Sequence, residues 1–333
     1  MLAFLWNKGV MTVAGIGLCF GIAATTSPAD AAPRTIYAFG DSLTDTGNFS
    51  LSTFGVFPLS PPYAPGRFSN GQLWIERVAA AYGTQMTPSL AGGNNYAFGG
   101  ATTGGTVPPG VTFQTLDYLR RQGANSADPE ALYIVYGGGN DVRNELTSAL
   151  PPEALAAAAT ENVRQAITNL AQAGAEYIMV PNLSDLALTP ESIAGGPEMM
   201  ERATVLSAAF NTALTGVLAG LEAAFPVDLI TLDVRSLFNS VAADPAMYGL
   251  TNVNSPCFSG AVDRPGTVCA NPDEYMFWDA VHPSTVAHRI LGDFALEALS
   301  DWDGGPLRVT EPATLVVLAG GLLGLGLIRR RQV

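Results

Sequence analysis

Short uniformly apolar runs alternate along this chain with longer stretches whose apolar residues recur every three or four positions. Residues 35–39 form a strand-like run closed by Gly40, and residues 132–136 a second, closed by Gly137-Gly138-Gly139. Residues 176–180 and 227–233 continue the series. Between these runs, residues 72–82 carry Leu73, Ile75, Val78 and Ala79 at helical spacing, and the Ala-rich residues 152–174 end on a glycine suited to a helix C-cap. Residues 198–224 and 284–299 complete the predicted helices. Strands alternating with helices predict an α/β domain built on a parallel sheet. Residues 47–70 and 92–113 are rich in Gly, Pro, Ser and Thr, lack helical period, and read as long loops. Long loops in a compact domain carry function or move, and both follow strand-like runs, at the sheet edge where sites gather. Residues 249–275 read as irregular, and no internal repeat interrupts what is one domain over residues 32–300.

The most apolar segments lie at the two ends. Residues 1–31 hold Lys8, a 16-residue apolar run (9–24) and Ala29-Asp30-Ala31, the order of a secretory signal peptide cleaved after Ala31. An N-terminal membrane helix is the alternative, and the short run followed by a cleavage site argues against it. Leu18 before Cys19 does not fit a lipoprotein signal. At the other end, residues 301–310 form a linker, and residues 311–333 place Glu311-Pro312 before a 16-residue apolar run (313–328) and three arginines. That length is near the lower limit for a membrane span, and the arginines would hold the terminus on the cytoplasmic side.

Charge then narrows the classes. Of 333 residues, 48% are hydrophobic and 14% charged, which excludes intrinsic disorder. The formal net charge is −13, and residues 32–310 hold 12 arginines, no lysine and 27 acidic residues, a balance of −15. Nucleic acid, which demands a basic footprint, is not an expected partner. Of three cysteines, Cys19 leaves with the signal segment, and Cys257 and Cys269 remain in a loop-like stretch. In an exported chain such a pair reads as a disulfide, and no histidine lies between them to suggest zinc.

Four short elements carry candidate chemistry. Gly40-Asp41-Ser42-Leu43 presents a serine directly after the first strand, where it needs a base to become a nucleophile. Asp279-Ala280-Val281-His282 puts a carboxylate three residues before one of only two histidines, so that it can orient the ring and leave the second nitrogen for a serine. By itself it also suits a helix N-cap with an incidental histidine. Asn140, after the triple glycine, offers an amide donor suited to an oxyanion hole, and a glycine N–H of Asn95-Tyr96-Ala97-Phe98-Gly99-Gly100-Ala101 could join it. The other histidine, His288, is read as facing solvent or the core on the last helix.

In this order the four elements resemble the GDSL or SGNH hydrolase superfamily across residues 39–282. The stretches Gly40-Asp41-Ser42-Leu43-Thr44-Asp45-Thr46-Gly47-Asn48 and Gly66-Arg67-Phe68-Ser69-Asn70-Gly71-Gln72-Leu73-Trp74 are similar to the branch containing plant GDSL esterases and thermolabile-hemolysin-like phospholipases. The resemblance implies a flavodoxin-like α/β/α sandwich with a parallel sheet, no metal and no cofactor. It implies Ser42 as nucleophile, His282 as base then acid, and Asp279 orienting His282. It also implies an oxyanion hole from the N–H groups of Ser42 and Gly100 and the Asn140 side chain, with Gly100 chosen over Gly99. Asp45, Asn48 and Arg67 then read as a scaffold under the serine turn, and Asp141 as tying down its own loop. Phe49, Phe54, Phe57 and Tyr63 are candidates for an acyl pocket or for internal packing.

The expected activity is a secreted esterase or lipase acting on small-molecule, lipid or glycan esters. A polysaccharide O-acetylesterase, a phospholipase or acyltransferase, and a non-catalytic surface protein are the alternatives. The terminal Glu-Pro pair, apolar helix and arginines resemble the PEP-CTERM sorting tail of exopolysaccharide-producing Gram-negative bacteria. That resemblance implies a processing machinery as partner and a periplasmic, surface or matrix location. A permanent tail anchor in the membrane is the alternative.

Overall fold

The computed structural model describes residues 35–123 and 126–302. The expected signal segment, the expected tail and the expected linker from residue 303 onward lie outside the described residues. Four parallel strands form the main sheet in the order β1 (Ile36–Gly40), β2 (Leu132–Tyr136), β3 (Tyr177–Pro181), β4 (Asp228–Leu232), with Ile36 opposite Leu132 and Tyr177 opposite Asp228. All five residues of β2 are buried, as expected for a strand covered on both faces.

Residues 94–98 line the other edge of β1. Ala38 N–H donates to the Asn94 carbonyl, Tyr96 N–H to Ala38 and Phe98 N–H to Gly40, at 3.2, 2.7 and 3.0 Å. The chain therefore crosses the sheet in the order 94–98, β1, β2, β3, β4, a doubly wound arrangement that reverses at β1. Ligand crevices of open α/β sheets lie at the carboxyl ends of strands flanking such a reversal.

The helices are α1 (Asn48–Ser52), α2 (Trp74–Ala81), α3 (Val111–Gln122), α4 (Gly139–Asn144), α5 (Pro152–Gln172), α6 (Pro190–Ala194), α7 (Pro197–Ala224), α8 (Val234–Ala243) and α9 (Thr285–Asp301). One layer packs α3 on α5 and α5 on α7; the other packs α2 and α8 on α9. The result is a three-layer α/β/α sandwich. α5 buries Leu155, Ala159, Val163, Ala166, Ile167 and Leu170, the three- and four-residue spacing of one apolar stripe.

The fold adds elements that the sequence pattern does not predict. α1 forms inside the predicted loop 47–70. α3 begins inside the predicted loop 92–113, with Tyr118 packed edge-on against the rings of Phe39, Tyr96 and Tyr133. α8 follows β4 directly, with Asp233 accepting the Ser236 N–H as N-cap. The predicted irregular segment 249–275 contains β5 (Asn252–Pro256), which pairs in parallel with β6 (Tyr275–Phe277) in a separate small sheet. Cys257 follows β5 and is disulfide-bonded to Cys269, closing the loop between them.

Candidate active site

The serine turn is held from both sides of its first residue. A Cβ on Gly40 would lie 2.3 Å from the Tyr136 carbonyl oxygen, so β1 must end on glycine to stay paired with β2. Gln114 of α3 accepts the Gly40 N–H and donates to the Gly40 carbonyl, both at 2.8 Å, and also donates to the Pro109 carbonyl. Past Gly40 the chain turns sharply, with the N–H groups of Thr44 and Asp45 donating to the Asp41 carbonyl. Ser42 rides on that turn at the carboxyl end of β1.

Below it, the Asp45 carboxylate accepts four backbone N–H groups, from Gly47, Asn48, Phe49 and Gly99, at 2.6–2.9 Å. The Asn48 amide donates to the carbonyls of Asn95 and Ala97. These two residues form the expected scaffold. Arg67 does not: its guanidinium pairs with Glu76 of α2 and donates to the Pro65 carbonyl. Its contribution is to seat α2, because Glu76 also accepts the Leu73 N–H.

Asp279 and His282 arrive on the loop between β6 and α9. His282 Nε2 lies 3.0 Å from Ser42 Oγ, and its Nδ1 lies 2.7 Å from Asp279 Oδ2. Asp279 Oδ1 accepts the N–H groups of Val281 and His282 at 2.9 and 2.8 Å, and Tyr63 donates its hydroxyl to Oδ2 at 2.6 Å. Burial opposes ionisation of Asp279, yet the adjacent His282 and the hydrogen bonds outweigh it and hold the carboxyl at about 2. All three side chains are buried. The stretch after Gly66 braces this loop. Phe68 packs 5.2 Å from the His282 ring, Ser69 Oγ donates to the Pro283 carbonyl, and Asn70 accepts the Thr285 N–H.

The oxyanion candidates converge on one cavity of about 270 Å³, lined by Ser42, Gly99, Gly100, Asn140 and His282. Gly99 has its N–H taken by Asp45. Gly100 follows at φ +76°, a conformation natural to glycine, and is the next amide along this wall. Asn140 lies in the first turn of α4 and donates one amide hydrogen to the Ala101 carbonyl at 2.9 Å. An amide carries two such hydrogens, so a second remains. Asp141 accepts its own backbone N–H and also reaches across to accept the Thr103 N–H and hydroxyl, joining α4 to the wall that carries Gly100.

The rest of the cavity is largely apolar, including Leu43, Phe49, Phe68, Leu146, Leu183, Leu186, Val262 and Val281, with the Arg143–Glu191 ion pair among them. Of the four aromatic candidates only Phe49 lines it. Phe54 is 94% exposed, Phe57 is half-buried elsewhere, and Tyr63 is packed behind Asp279. His288 is buried on α9, where burial depresses it to about 3 and leaves it neutral. Gln114 and the Asp279 contact of Tyr63 escaped the sequence reading; neither partner is close enough in sequence to signal them.

The family model described as GDSL-like Lipase/Acylhydrolase matches residues 36–295. Esterase EstA of Pseudomonas aeruginosa is 31% identical over 86% of this chain and 50% of its own length. Phosphatidylcholine-sterol acyltransferase of Aeromonas hydrophila is 29% identical over 82% of this chain and 92% of its own. A solved lipolytic G-D-S-L protein from Veillonella parvula covers 80% of this chain and 99% of its own at 17% identity, with a TM-score of 0.46. The chain thus spans half of the esterase's length and nearly all of the acyltransferase's.

Proposed function

The chain belongs to the GDSL-like lipase/acylhydrolase family, and on that premise we propose that it is an exported serine esterase acting on carboxylic esters with an alkyl acyl chain. The observation that carries this reading is the 3.0 Å approach of His282 Nε2 to Ser42 Oγ at the floor of an apolar-walled cavity. Ser42 Oγ attacks the ester carbonyl carbon while His282 Nε2 takes its proton. The negative oxygen of the tetrahedral intermediate is held by the N–H groups of Ser42 and Gly100 and by the Asn140 amide. The intermediate collapses, the C–O bond to the alcohol breaks, and His282 returns the proton to the leaving oxygen. Water, deprotonated by His282, then attacks the acyl-enzyme; the bond from the acyl carbon to Ser42 Oγ breaks, His282 returns the proton to Oγ, and the acid is released. Asp279 keeps the Nδ1–H tautomer and stabilises the imidazolium formed at each transfer.

Leu43, Leu146, Leu183 and Leu186 in the cavity walls support an acyl group longer than acetyl. A series of p-nitrophenyl esters from acetate to palmitate, on wild type and Ser42→Ala, tests this. Each methylene should raise kcat/KM by roughly threefold to fourfold until the cavity is filled, given about 0.8 kcal/mol per buried CH2. A maximum at acetate, shared by acetylated glycan, would favour the polysaccharide acetylesterase reading. Product esters formed on adding an alcohol acceptor would favour acyl transfer, the reaction in the Aeromonas relative's name. Hydrolysis absent altogether would leave the non-catalytic reading, and hydrolysis undiminished in Ser42→Ala would remove Ser42 as the nucleophile. Export is supported by the order of residues 1–31 and by the disulfide, a bond of oxidising compartments. Mass spectrometry of the mature protein should find cleavage after Ala31 and would show whether the peptide after Glu311 is removed or kept as an anchor.

A further inference from the structure

Besides His282, the Asp279 carboxylate has a second side-chain partner, Tyr63. Oδ1 is filled by two backbone N–H groups, and Oδ2 is shared between His282 Nδ1 and the Tyr63 hydroxyl, the latter contact at 2.6 Å. Tyr63 is 2% exposed and cannot swing away. Its ring meets Phe258 and Trp278 edge-on at 5.5 and 6.1 Å, and those two rings stack on each other. Phe258 adjoins disulfide-bonded Cys257, and the N–H of Leu59, at the start of the turn leading to Tyr63, donates to the Val262 carbonyl inside the disulfide loop. A buried hydroxyl seated this firmly beside a carboxylate is a fixed donor. Burial together with the charge of Asp279 keeps that hydroxyl protonated at every working pH.

We infer that Tyr63 is a positioning residue of the proposed esterase, fixing the Asp279 carboxylate and drawing charge from Oδ2 so that it orients His282 without over-stabilising the imidazolium. The inference rests on the Ser42–His282–Asp279 reading. A donor on the oxygen that faces the imidazole weakens the pull of that oxygen on the proton at Nδ1. Removing it therefore displaces the acidic limb of kcat/KM toward higher pH; strengthening it does the reverse. The other ionisable groups acting on this cluster are Asp41 and His288 toward His282, Arg143 toward Asp279, and Asp263 toward Tyr63, and all remain in the variants below.

Tyr63→Phe keeps the ring contacts and removes only the hydroxyl. It should lower kcat about tenfold, the scale of one lost hydrogen bond to a charged group, with KM nearly unchanged and the acidic limb raised. Difluorotyrosine placed at position 63 alone is nearly isosteric and a stronger donor, and should lower the limb. It also keeps the test open if Tyr63→Phe folds poorly. In an Asp279→Asn background Tyr63→Phe should cost little further, because the two act through one contact. An unmoved limb in both position-63 variants, or full additivity with Asp279→Asn, overturns the inference. Ser42→Ala, run alongside, separates this from failure of the esterase reading, in which hydrolysis would survive loss of the serine.

Discussion

Asp41 and Asp279 flank the same chemistry from environments that push them in opposite directions. Asp41 is buried with the Leu43 N–H on its carboxylate, and desolvation raises it to about 6. A carboxyl raised above its unfolded value of 3.8 favours the folded state while protonated, so this contribution is complete below about 4 and lost as pH climbs through 6. The loss is on the order of 3 kcal/mol. Asp279, held at about 2, behaves oppositely: its contribution is present above about 4 and is lost as pH falls toward 2. Urea titrations between pH 4 and 8 should therefore show Asp41→Asn gaining stability relative to wild type as pH rises; a constant difference would contradict the assignment. At the oxyanion site, Asn140→Ala should reduce kcat by about 10²–10³ with a small change in KM in ester-hydrolysis kinetics. At this scale the sequence was legible wherever partners are neighbours. Asp279 and His282 are three residues apart and could be paired on paper, whereas Tyr63 meets Asp279 across 216 positions. Arg67 sits in the motif beside the serine turn, but its partner Glu76 lies on α2 and nothing in the spacing of the two signals the pair.

Among the elements, those that bury a continuous apolar face announced themselves: β2 by five consecutive buried residues, α5 by its stripe. The edge segment 94–98 did not, because it is tied to β1 by backbone hydrogen bonds that leave no side-chain pattern. α3 opens with Val111, Thr112 and Phe113 behind Pro108-Pro109-Gly110, weak helix formers after loop residues, and is fixed instead by Tyr118 and Gln114 in the core. That dependence makes Gln114 a sensitive link between layer and site. Gln114→Leu leaves the buried Gly40 N–H without its acceptor, and should destabilise by about 1–3 kcal/mol and lower kcat. Chemical denaturation and ester kinetics on the variant check both; wild-type values would show that β1 fixes the turn unaided. Reduction of Cys257–Cys269 releases the loop that carries Val262 to the cavity and packs on Tyr63. Calorimetry with and without reductant should show a loss of about 2–4 kcal/mol.

For the whole molecule, composition narrows the expected partners without identifying one. The lysine-free body of charge −15 spreads its acids over a fold whose cavity walls are mostly uncharged. Its long-range field should repel anionic esters and ignore neutral ones. Raising salt from about 20 to 300 mM should thus increase kcat/KM for a carboxylate-bearing ester and leave that of its neutral analogue unchanged. Equal responses would place the field away from the cavity. All of this hangs on one serine being the atom that takes the acyl group. Peptide mass mapping after treatment with diethyl p-nitrophenyl phosphate reads that atom directly. We predict a single phosphoryl adduct on Ser42, absent in His282→Ala, with inactivation proportional to labelling. An adduct on another residue with Ser42 unmodified, or full labelling without loss of hydrolysis, would contradict the account.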